Sequence, residues 1–225
     1  MPKEEKKKRK HSLFREYYEA ILVAVIFASF VKVFIFQTYK IPTQSMVPTL
    51  LVGDHLIVNK FSFRDPGLGF LDALFPASDV KRGDIIVFKY PEDPRVMFVK
   101  RAIGMPGDIV AITDKTVYIN GKPLEDPWAH YLMEDGHRPV YVPTRVPENM
   151  IFALGDNRDH SRDSRFWGFV PRDNILGTPW LIYWSYEAPP YNPRESVSQK
   201  TRNFFNVFFT FFSKTRWARS FTFPR

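Results

Sequence analysis

The sequence predicts a mostly β domain preceded by one membrane-spanning helix, and two observations lead to this fold class. The apolar run AILVAVIFASFVKVFIF at residues 20–36 is interrupted only by Ser29 and Lys32, and its length is close to the minimum that spans a bilayer. After it, short runs rich in β-branched and aromatic residues alternate with Gly, Pro and Asn-Gly signals, which is typical of strands joined by tight turns.

Residues 18–38 are predicted to form an uncleaved transmembrane anchor. Tyrosines flank the run at both ends, and Lys32 is close enough to its end to reach the headgroups. A cleaved signal peptide is the competing interpretation, but the segment that follows, FQTYKIPTQ, contains no small-x-small cleavage site. We therefore expect the lysine-rich residues 1–17 to stay in the cytoplasm and the remainder to be exported.

The exported domain is predicted to occupy residues 39–187 and to be built from short strands. The candidate strands are 55–63, 84–90, 96–104, 108–112, 116–124, 149–156 and 178–186. Asn120-Gly121 is the strongest turn signal in the chain and predicts a hairpin. No long helical period is evident outside the anchor.

The charge pattern and the absence of cysteine restrict the function. The net charge is +8, but the basic residues are concentrated near the two ends, which favours a membrane surface over nucleic acid as the partner. The chain has no cysteine, which excludes disulfides, thiolate zinc sites and a cysteine nucleophile. Residues 188–225 are rich in proline, phenylalanine and basic residues, and 203–212 are predicted to be an interfacial segment, with a buried core strand as the alternative.

Ser45 is the first candidate for a nucleophile. It lies between Pro42 and Pro48, which restrict the backbone and would hold the hydroxyl in a fixed place. A serine hydroxyl needs a base. His160 lies among Asp156, Asp159 and Asp163, so a Ser-His-Asp triad is one hypothesis. The neighbouring arginines favour a salt-bridged turn for most of these charges, and the segment does not fit the calcium-binding EF-hand pattern.

Lys100 is the second candidate base. In the strand VMFVKRAIG, Lys100 shares a face with Phe98 and Ala102, whereas Arg101 points to the other face. One of the two cations must therefore face apolar groups. Desolvation lowers the pKa of a lysine, and a neutral amine can accept the proton of a serine. A Ser/Lys dyad is thus the other hypothesis.

Four stretches resemble those of type I signal peptidases, the membrane-anchored serine proteases that remove signal peptides. They are SMVPTL (45–50), RGDIIVF (82–88), VKRAIGMPGD (99–108) and GDNRDHSRDSRFWGFVP (155–171). They occur in the order of that family and follow an anchor. The resemblance implies a compact, coiled β-sheet or barrel-like catalytic domain. The short distance between Lys100 and Gly155 indicates only a small insertion, around 120–147.

The resemblance also implies roles for individual residues. Ser45 corresponds to the nucleophile and Lys100 to the general base, while the Thr43 hydroxyl and the Ser45 N–H would form the oxyanion hole. The residues implied to support the lysine are Ser161, which orients it, and the ion pair of Asp163 and Arg165. The residues implied to line the pockets for small side chains at −1 and −3 are Ile41, Pro42, Met46, Phe98 and Val99. His160 replaces the asparagine often found in the family, whose mechanism uses no histidine.

The expected activity is therefore the removal of signal peptides from preproteins at the outer face of the cytoplasmic membrane, by a monomer without metal or cofactor. The expected partners are preprotein signal peptides and phospholipid, and not nucleic acid. Two alternatives stay open: a Ser/Lys maturation peptidase with one exported substrate, and a membrane-tethered β domain that binds a partner without catalysis.

Overall fold

The structure, a computed structural model, describes residues 13–30, 36–63, 78–133, 140–188 and 196–224. The chain divides into two compact units, residues 1–36 and residues 37–225. The first contains helix α1 (Leu13–Phe30), so the predicted tail 1–17 becomes helical at residue 13, and the earlier residues lie outside the described part. Among the described residues, we find no helix with both the length and the apolar character required to span a membrane.

The predicted anchor 18–38 does not coincide with a single element. Helix α1 ends at Phe30, residues 31–35 lie outside the described part of the chain, and 36–38 belong to strand β1 (Phe36–Lys40). The next strands are β2 (Asp54–Asn59), β3 (Ile85–Lys89), β4 (Met97–Gly104), β5 (Ile109–Thr113), β6 (Thr116–Ile119) and β7 (Lys122–Pro123). The last ones are β8 (Tyr141–Arg145), β9 (Met150–Leu154), β10 (Val170–Pro171) and β11 (Ile175–Ser185).

The strands form two sheets, which confirms the prediction of a mostly β domain. The larger sheet has the order β1-β2-β11-β3-β4-β9-β10, and the smaller one has the order β7-β6-β5-β8. Register shifts interrupt β11 where it pairs with β2 and β3, and such bulges bend a strand. Among the described residues, β1 and β10 lie at opposite ends of the larger sheet, so this coiled sheet is a half-barrel and not a closed barrel. Strands β1, β8 and β10 were not among the predicted ones.

Strand β3 shows why the larger sheet is apolar on both faces. Ile85 and Val87 pack into one cluster together with Ile41 and Met46, whereas the alternate residues pack into another. The first four residues of β3 are all buried, as expected for a strand covered on both sides. The loop 41–50 covers one of these faces, and this brings Ser45 next to the middle of the sheet.

The smaller sheet includes part of the small insertion predicted around 120–147. It begins at Ile109 and includes the predicted hairpin, in which Asn120 and Gly121 both have positive φ (54° and 78°). Its buried residues pack against Ile103 of β4 and Phe152 of β9, so the smaller sheet shares a core with the larger one. Residues 134–139 of this region lie outside the described part of the chain.

A long helix is present outside the predicted anchor, although no long helical period is evident there in the sequence. Two further helices are present, α2 (Ser164–Trp167) and the long α3 (Val197–Lys214). The core-strand interpretation of 203–212 is wrong, because that segment lies within α3. The helix begins at a capping box formed by Ser196 and Gln199, and this local signal outweighs the strand propensity of the phenylalanines.

The segment that follows α3 is held against the loop before β2. The buried Asp54 carboxylate accepts hydrogen bonds from Arg219 (2.8 Å) and from the Ser185 hydroxyl (2.7 Å). Arg219 also donates to the Thr49 carbonyl, and Arg216 donates to the Val52 carbonyl (3.1 Å). The C-terminal segment is therefore part of the folded domain and braces the loop that follows Ser45.

A substitution at Gly53 tests the packing of the C-terminal segment against the loop before β2. Its φ is +90°, and an added Cβ would lie 1.9 Å from the Tyr186 carbonyl oxygen. Gly107 has a similar φ of +85° with no atom near an added Cβ, so it is the matched control. We expect Gly107→Ala to lower the free energy of unfolding by about 1 kcal/mol from backbone strain alone, and Gly53→Ala to lower it by clearly more. Chemical denaturation measures both, and equal losses would contradict the packing described for Gly53.

Candidate active site

Ser45 lies in a tight loop and its side chain is buried. The Val47 N–H donates to the Gln44 carbonyl (3.1 Å) and the Leu50 N–H donates to the Met46 carbonyl (2.8 Å), so the chain turns sharply around the serine. The residue is 7% exposed. Its carbonyl accepts the Asn157 N–H at 3.1 Å, which ties the loop to the segment after β9. The backbone at Ser45 is thus fixed both by its own turn and by the segment after β9.

Lys100 on β4 meets this hydroxyl directly. Its Nζ lies 2.7 Å from Ser45 Oγ and donates to the Val99 carbonyl at 3.0 Å. The lysine is 4% exposed, and Nζ lies 5.3 Å from the centre of the Phe98 ring. Burial lowers the pKa of Lys100 to about 8, while Asp163 and Asp156 act in the opposite direction. Roughly one tenth of the side chain is therefore neutral at pH 7.

Arg101, the next residue on β4, is buried as well, but it is fully paired. Its guanidinium donates to both oxygens of Asp156, from Nε at 2.8 Å and from NH2 at 2.7 Å, and to the Gly83 carbonyl at 2.7 Å. The Thr49 hydroxyl donates to the same carboxylate at 2.6 Å. The alternation of β4 indicates that Lys100 and Arg101 face opposite ways, but the sequence gives no sign that both are buried.

The structure does not assemble the Ser-His-Asp triad, because each of the three aspartates that could complete it has another partner. Asp156 binds Arg101, Asp163 binds Arg165 (2.8 Å), and Asp159 accepts the N–H groups of Leu132 and Met133. His160 is exposed, whereas the Ser45 hydroxyl bonds with Lys100. The geometry favours the dyad.

Ser161, Asp163 and Arg165 lie behind the dyad. Asp163 is buried, begins helix α2 and accepts the Gly155 N–H at 3.1 Å. A Cβ on Gly155 would lie 2.2 Å from Ser161 Oγ and 2.4 Å from the Ser45 carbonyl, so both serines pack closely on this glycine. The Ser161 hydroxyl is buried and has no hydrogen-bond partner in the described part of the chain. The expected bond from Ser161 to Lys100 is therefore not formed in this structure.

A cavity of about 450 Å³ opens in front of the dyad. It is lined by Ser45, Lys100 and Thr43, and by all five residues predicted for the substrate pockets, Ile41, Pro42, Met46, Phe98 and Val99. The sequence did not identify the remaining lining residues, which are Tyr39, Lys40, Val87, Val96, Met97, His160 and Arg162. Val96 and Met97 lie in the same predicted strand as Phe98 and Val99. The sequence could therefore have predicted them, because they directly precede two residues already assigned to the pocket.

The groups around the cavity can carry out acyl transfer. A neutral amine at hydrogen-bond distance from a fixed serine hydroxyl can take its proton, and mostly apolar side chains line the cavity in front of Ser45. Within the described part of the chain, the Ser45 N–H donates to no protein acceptor. No group of three or more His, Asp or Glu side chains among the described residues could hold a metal ion. A serine hydroxyl beside a buried amine is the arrangement found in serine hydrolases that use a lysine as base.

Comparison with known proteins identifies the family. Residues 14–184 match the model of the family described as signal peptidase, peptidase S26. Signal peptidase I of Pseudomonas fluorescens is 32% identical over 219 residues, covering 81% of this chain and 77% of that protein. Signal peptidase I of Leptolyngbya laminosa is 38% identical over 175 residues, covering 74% and 77%. Signal peptidase I of Bacillus licheniformis is 35% identical over 196 residues, covering 83% and 96%.

A crystal structure of a signal peptidase I from Enterococcus faecalis is 33% identical, with a TM-score of 0.41, and the match covers 45% of this chain and 97% of that chain. On the evidence of the family model and the curated relatives, the chain belongs to the signal peptidase family, peptidase S26. At the level of the family, this confirms the predicted serine endopeptidase that removes signal peptides.

The carboxylates behind the dyad make a testable contribution to the pKa of Lys100. Asp163 raises that pKa, so Asp163→Asn is expected to lower it below about 8, by on the order of one unit. Asp159 lies in the same segment, and Asp159→Asn is the control with no expected change. The apparent pKa in the pH dependence of kcat/KM measures the effect. An unchanged or higher value in Asp163→Asn would contradict the electrostatic account of the site.

Proposed function

We propose that the chain cleaves signal peptides through a covalent acyl intermediate on Ser45, with neutral Lys100 as the general base. The observation that carries this proposal is the 2.7 Å separation between Lys100 Nζ and Ser45 Oγ, both in buried side chains at the wall of an apolar cavity. The depressed pKa of Lys100 supports the same role, because a charged ammonium has no lone pair with which to accept a proton.

The reaction follows from these two groups. Lys100 takes the proton of the Ser45 hydroxyl as the oxygen attacks the scissile carbonyl carbon. When the C–N bond breaks, the ammonium returns that proton to the leaving amine, and the signal peptide stays bound as an ester of Ser45. Water then attacks the ester carbon while Lys100 accepts a proton from it. When the ester C–O bond breaks, the ammonium returns this proton to Ser45 Oγ, and the signal peptide leaves with a new carboxyl group.

The Ser45 N–H and the Thr43 hydroxyl are proposed to stabilise the oxyanion. Thr43 lines the cavity two residues before the nucleophile, and the Ser45 N–H has no protein acceptor within the described residues. A donor directed at developing negative charge contributes roughly 3 kcal/mol to transition-state stabilisation. The threonine methyl group leaves this hydroxyl available.

The substrate is proposed to bind in extended form between residues 40–44 and 96–99. Strand β9 pairs with β4 only from Arg101 to Gly104, so β9 leaves the first half of β4 unpaired along that edge. Both segments line the cavity, and a peptide added to such an edge presents alternate side chains to pockets. The walls formed by Ile41, Met46 and Phe98 suit small apolar residues at −1 and −3.

We also propose that the anchor of residues 18–38 crosses the cytoplasmic membrane once, with the N-terminus inside and the domain outside, and that the enzyme acts as a monomer. The support is the apolar run at 20–36, the basic residues before it, and a substrate whose own apolar segment lies in the bilayer. The side chains described in α1 are exposed, including Val23, Ile26 and Phe27.

The decisive test is cleavage of a preprotein in detergent by matched variants. Ser45→Ala and Lys100→Ala are each expected to lower kcat/KM by about 10³-fold or more, because nucleophile and base act as a unit. Lys100→Arg keeps a cation but cannot accept a proton, so it is expected to be equally inactive. His160→Ala is expected to retain activity.

Other outcomes point to the alternatives. Retained activity in Lys100→Arg would exclude lysine as the base, and loss in a folded His160→Ala would revive the triad. Cleavage of one preprotein among several would favour the maturation peptidase. Function that survives Ser45→Ala and Lys100→Ala alike would favour the non-catalytic binding domain.

The pH dependence provides a separate prediction. Only the neutral form of Lys100 acts as base, so kcat/KM is expected to rise tenfold per pH unit and to level off above a pKa of about 8. At pH 6 the rate should be about one hundredth of the plateau. A profile that already levels off near pH 6.5 would indicate histidine instead.

A further inference from the structure

Helix α3 has two opposite faces with different environments. Thr210 and Phe211 lie on the face directed at the domain: the Thr210 hydroxyl is 2.7 Å from the Tyr186 hydroxyl, and the Phe211 ring centre is 5.6 Å from that of Trp184. Asn203 and Val207 fall on the same side by helical spacing, and both are partly buried. The helix is thus fixed to the end of β11 along one face only.

The other face is a stripe of phenylalanines in contact with solvent. By helical spacing they occupy one continuous arc opposite the docked face. The Phe stripe consists of Phe204, Phe205, Phe208, Phe209 and Phe212, which are between 53% and 80% exposed. Five large apolar side chains on one exposed surface are rare in a soluble domain and indicate an interaction surface.

Further aromatic side chains extend the Phe stripe beyond the helix. Trp217 stacks on Phe212 with ring centres 6.2 Å apart and is half exposed. Trp217 also donates from Nε1 to the Phe212 carbonyl, at 3.1 Å, so the end of the stripe is rigid. Tryptophan with its apolar ring and single N–H donor is typical of a membrane interface.

The charge around the stripe selects its partner. Residues 196–225 contain six Lys and Arg residues and no Asp or Glu. Arg216 and Arg219 are directed at Asp54 and hold the segment, while Arg202 and Lys214 on α3 are exposed to solvent. Two copies of this chain would bring like charges together if they paired through the stripe, which disfavours a homodimer.

We propose that α3 and Trp217 form a second membrane-binding surface, which lies in the plane of a bilayer with its phenylalanines among the acyl chains and its cations at anionic phospholipid headgroups. An amphipathic helix with a wide apolar face and basic flanks binds bilayers in this way. This surface is independent of the proposed anchor at 18–38 and does not depend on the catalytic roles given above.

The position of α3 gives this surface a function. The helix rests on Tyr186, whose carbonyl contacts Gly53, and the Gly53 N–H in turn donates to the Ile41 carbonyl at 2.9 Å. Ile41 lines the substrate cavity. Helix α3 is therefore linked through Tyr186 and Gly53 to the segment that carries Ile41 and Ser45. A bilayer bound by α3 would lie close to the cavity. The surface would hold the site near the level at which a substrate leaves the membrane.

Site-specific fluorescence in the full-length chain tests the proposal. The protein has no cysteine, so Phe208→Cys and the matched control Ser213→Cys, on the polar side of the same helix, can each be labelled with a polarity-sensitive dye. Each labelled chain is reconstituted into vesicles of phosphatidylethanolamine and phosphatidylglycerol that contain a lipid with a quencher on its acyl chain. We expect the emission of the dye at position 208 to be blue-shifted, and to be quenched several-fold more strongly than the emission of the dye at position 213.

Charge is tested in the same preparation. Replacing phosphatidylglycerol by phosphatidylcholine, or making the charge-reversal variant Arg202→Glu/Lys214→Glu, is expected to reduce the quenching at 208. A dye at 208 that stays solvent-like in all vesicles would overturn the proposal. So would efficient cross-linking of Phe208→Cys chains into dimers, which would assign the stripe to self-association. Neither readout requires peptidase activity, so the result is independent of the mechanism proposed for Ser45 and Lys100.

Discussion

The site depends on the burial of two successive cations of β4 in opposite ways. Arg101 is buried beside the Asp156 carboxylate, with which it forms a bidentate ion pair. Lys100 is buried among Ser45, Phe98 and a backbone carbonyl, none of which carries a charge. Asp156 and Asp163 are close enough to raise the pKa of Lys100, but each carboxylate is held by its own arginine. Because the arginines hold the nearby negative charge, burial prevails and the lysine is partly neutral. A shift from 10.5 to about 8 corresponds to about 3 kcal/mol against the charged form.

This arrangement explains why the segment 155–171 is dense in charge although, of its residues, His160 and Arg162 alone line the cavity. Asp156 holds Arg101, Asp163 starts helix α2 and binds Arg165, and the Asn157 N–H fixes the Ser45 carbonyl. Each contact positions a neighbour of the dyad. Removal of one carboxylate would leave an arginine buried without its partner, which is far more destabilising than loss of an exposed pair. The segment therefore supports the residues around Lys100 and also influences the pKa of Lys100 through its carboxylates.

Much of this could be predicted from local pattern. The apolar runs of β3 and β4 are regular enough to reveal strands, and alternation alone separates Lys100 from Arg101. What could not be predicted depends on contacts distant in sequence. The burial of Arg101 requires Asp156, 55 residues away, and the link from Arg219 to Asp54 spans 165 residues. Helix α3 was missed for another reason: its phenylalanines recur at helical spacing, but helix and strand are hard to distinguish in so short an apolar run, and the sequence does not show that the rings point outward.

The C-terminal segment and the active site are joined through Thr49. Its hydroxyl donates to Asp156, which holds Arg101 on one side of the site, and its carbonyl accepts from Arg219 on the other. Arg219 in turn is fixed by Asp54, so the loop from Ser45 to Asp54 has one contact with the buried ion pair and one with the segment after α3. A helix attached to this loop cannot shift without straining bonds to the residues that set the nucleophile. A surface that binds the bilayer through α3 would therefore hold Ser45 at a set height above the membrane.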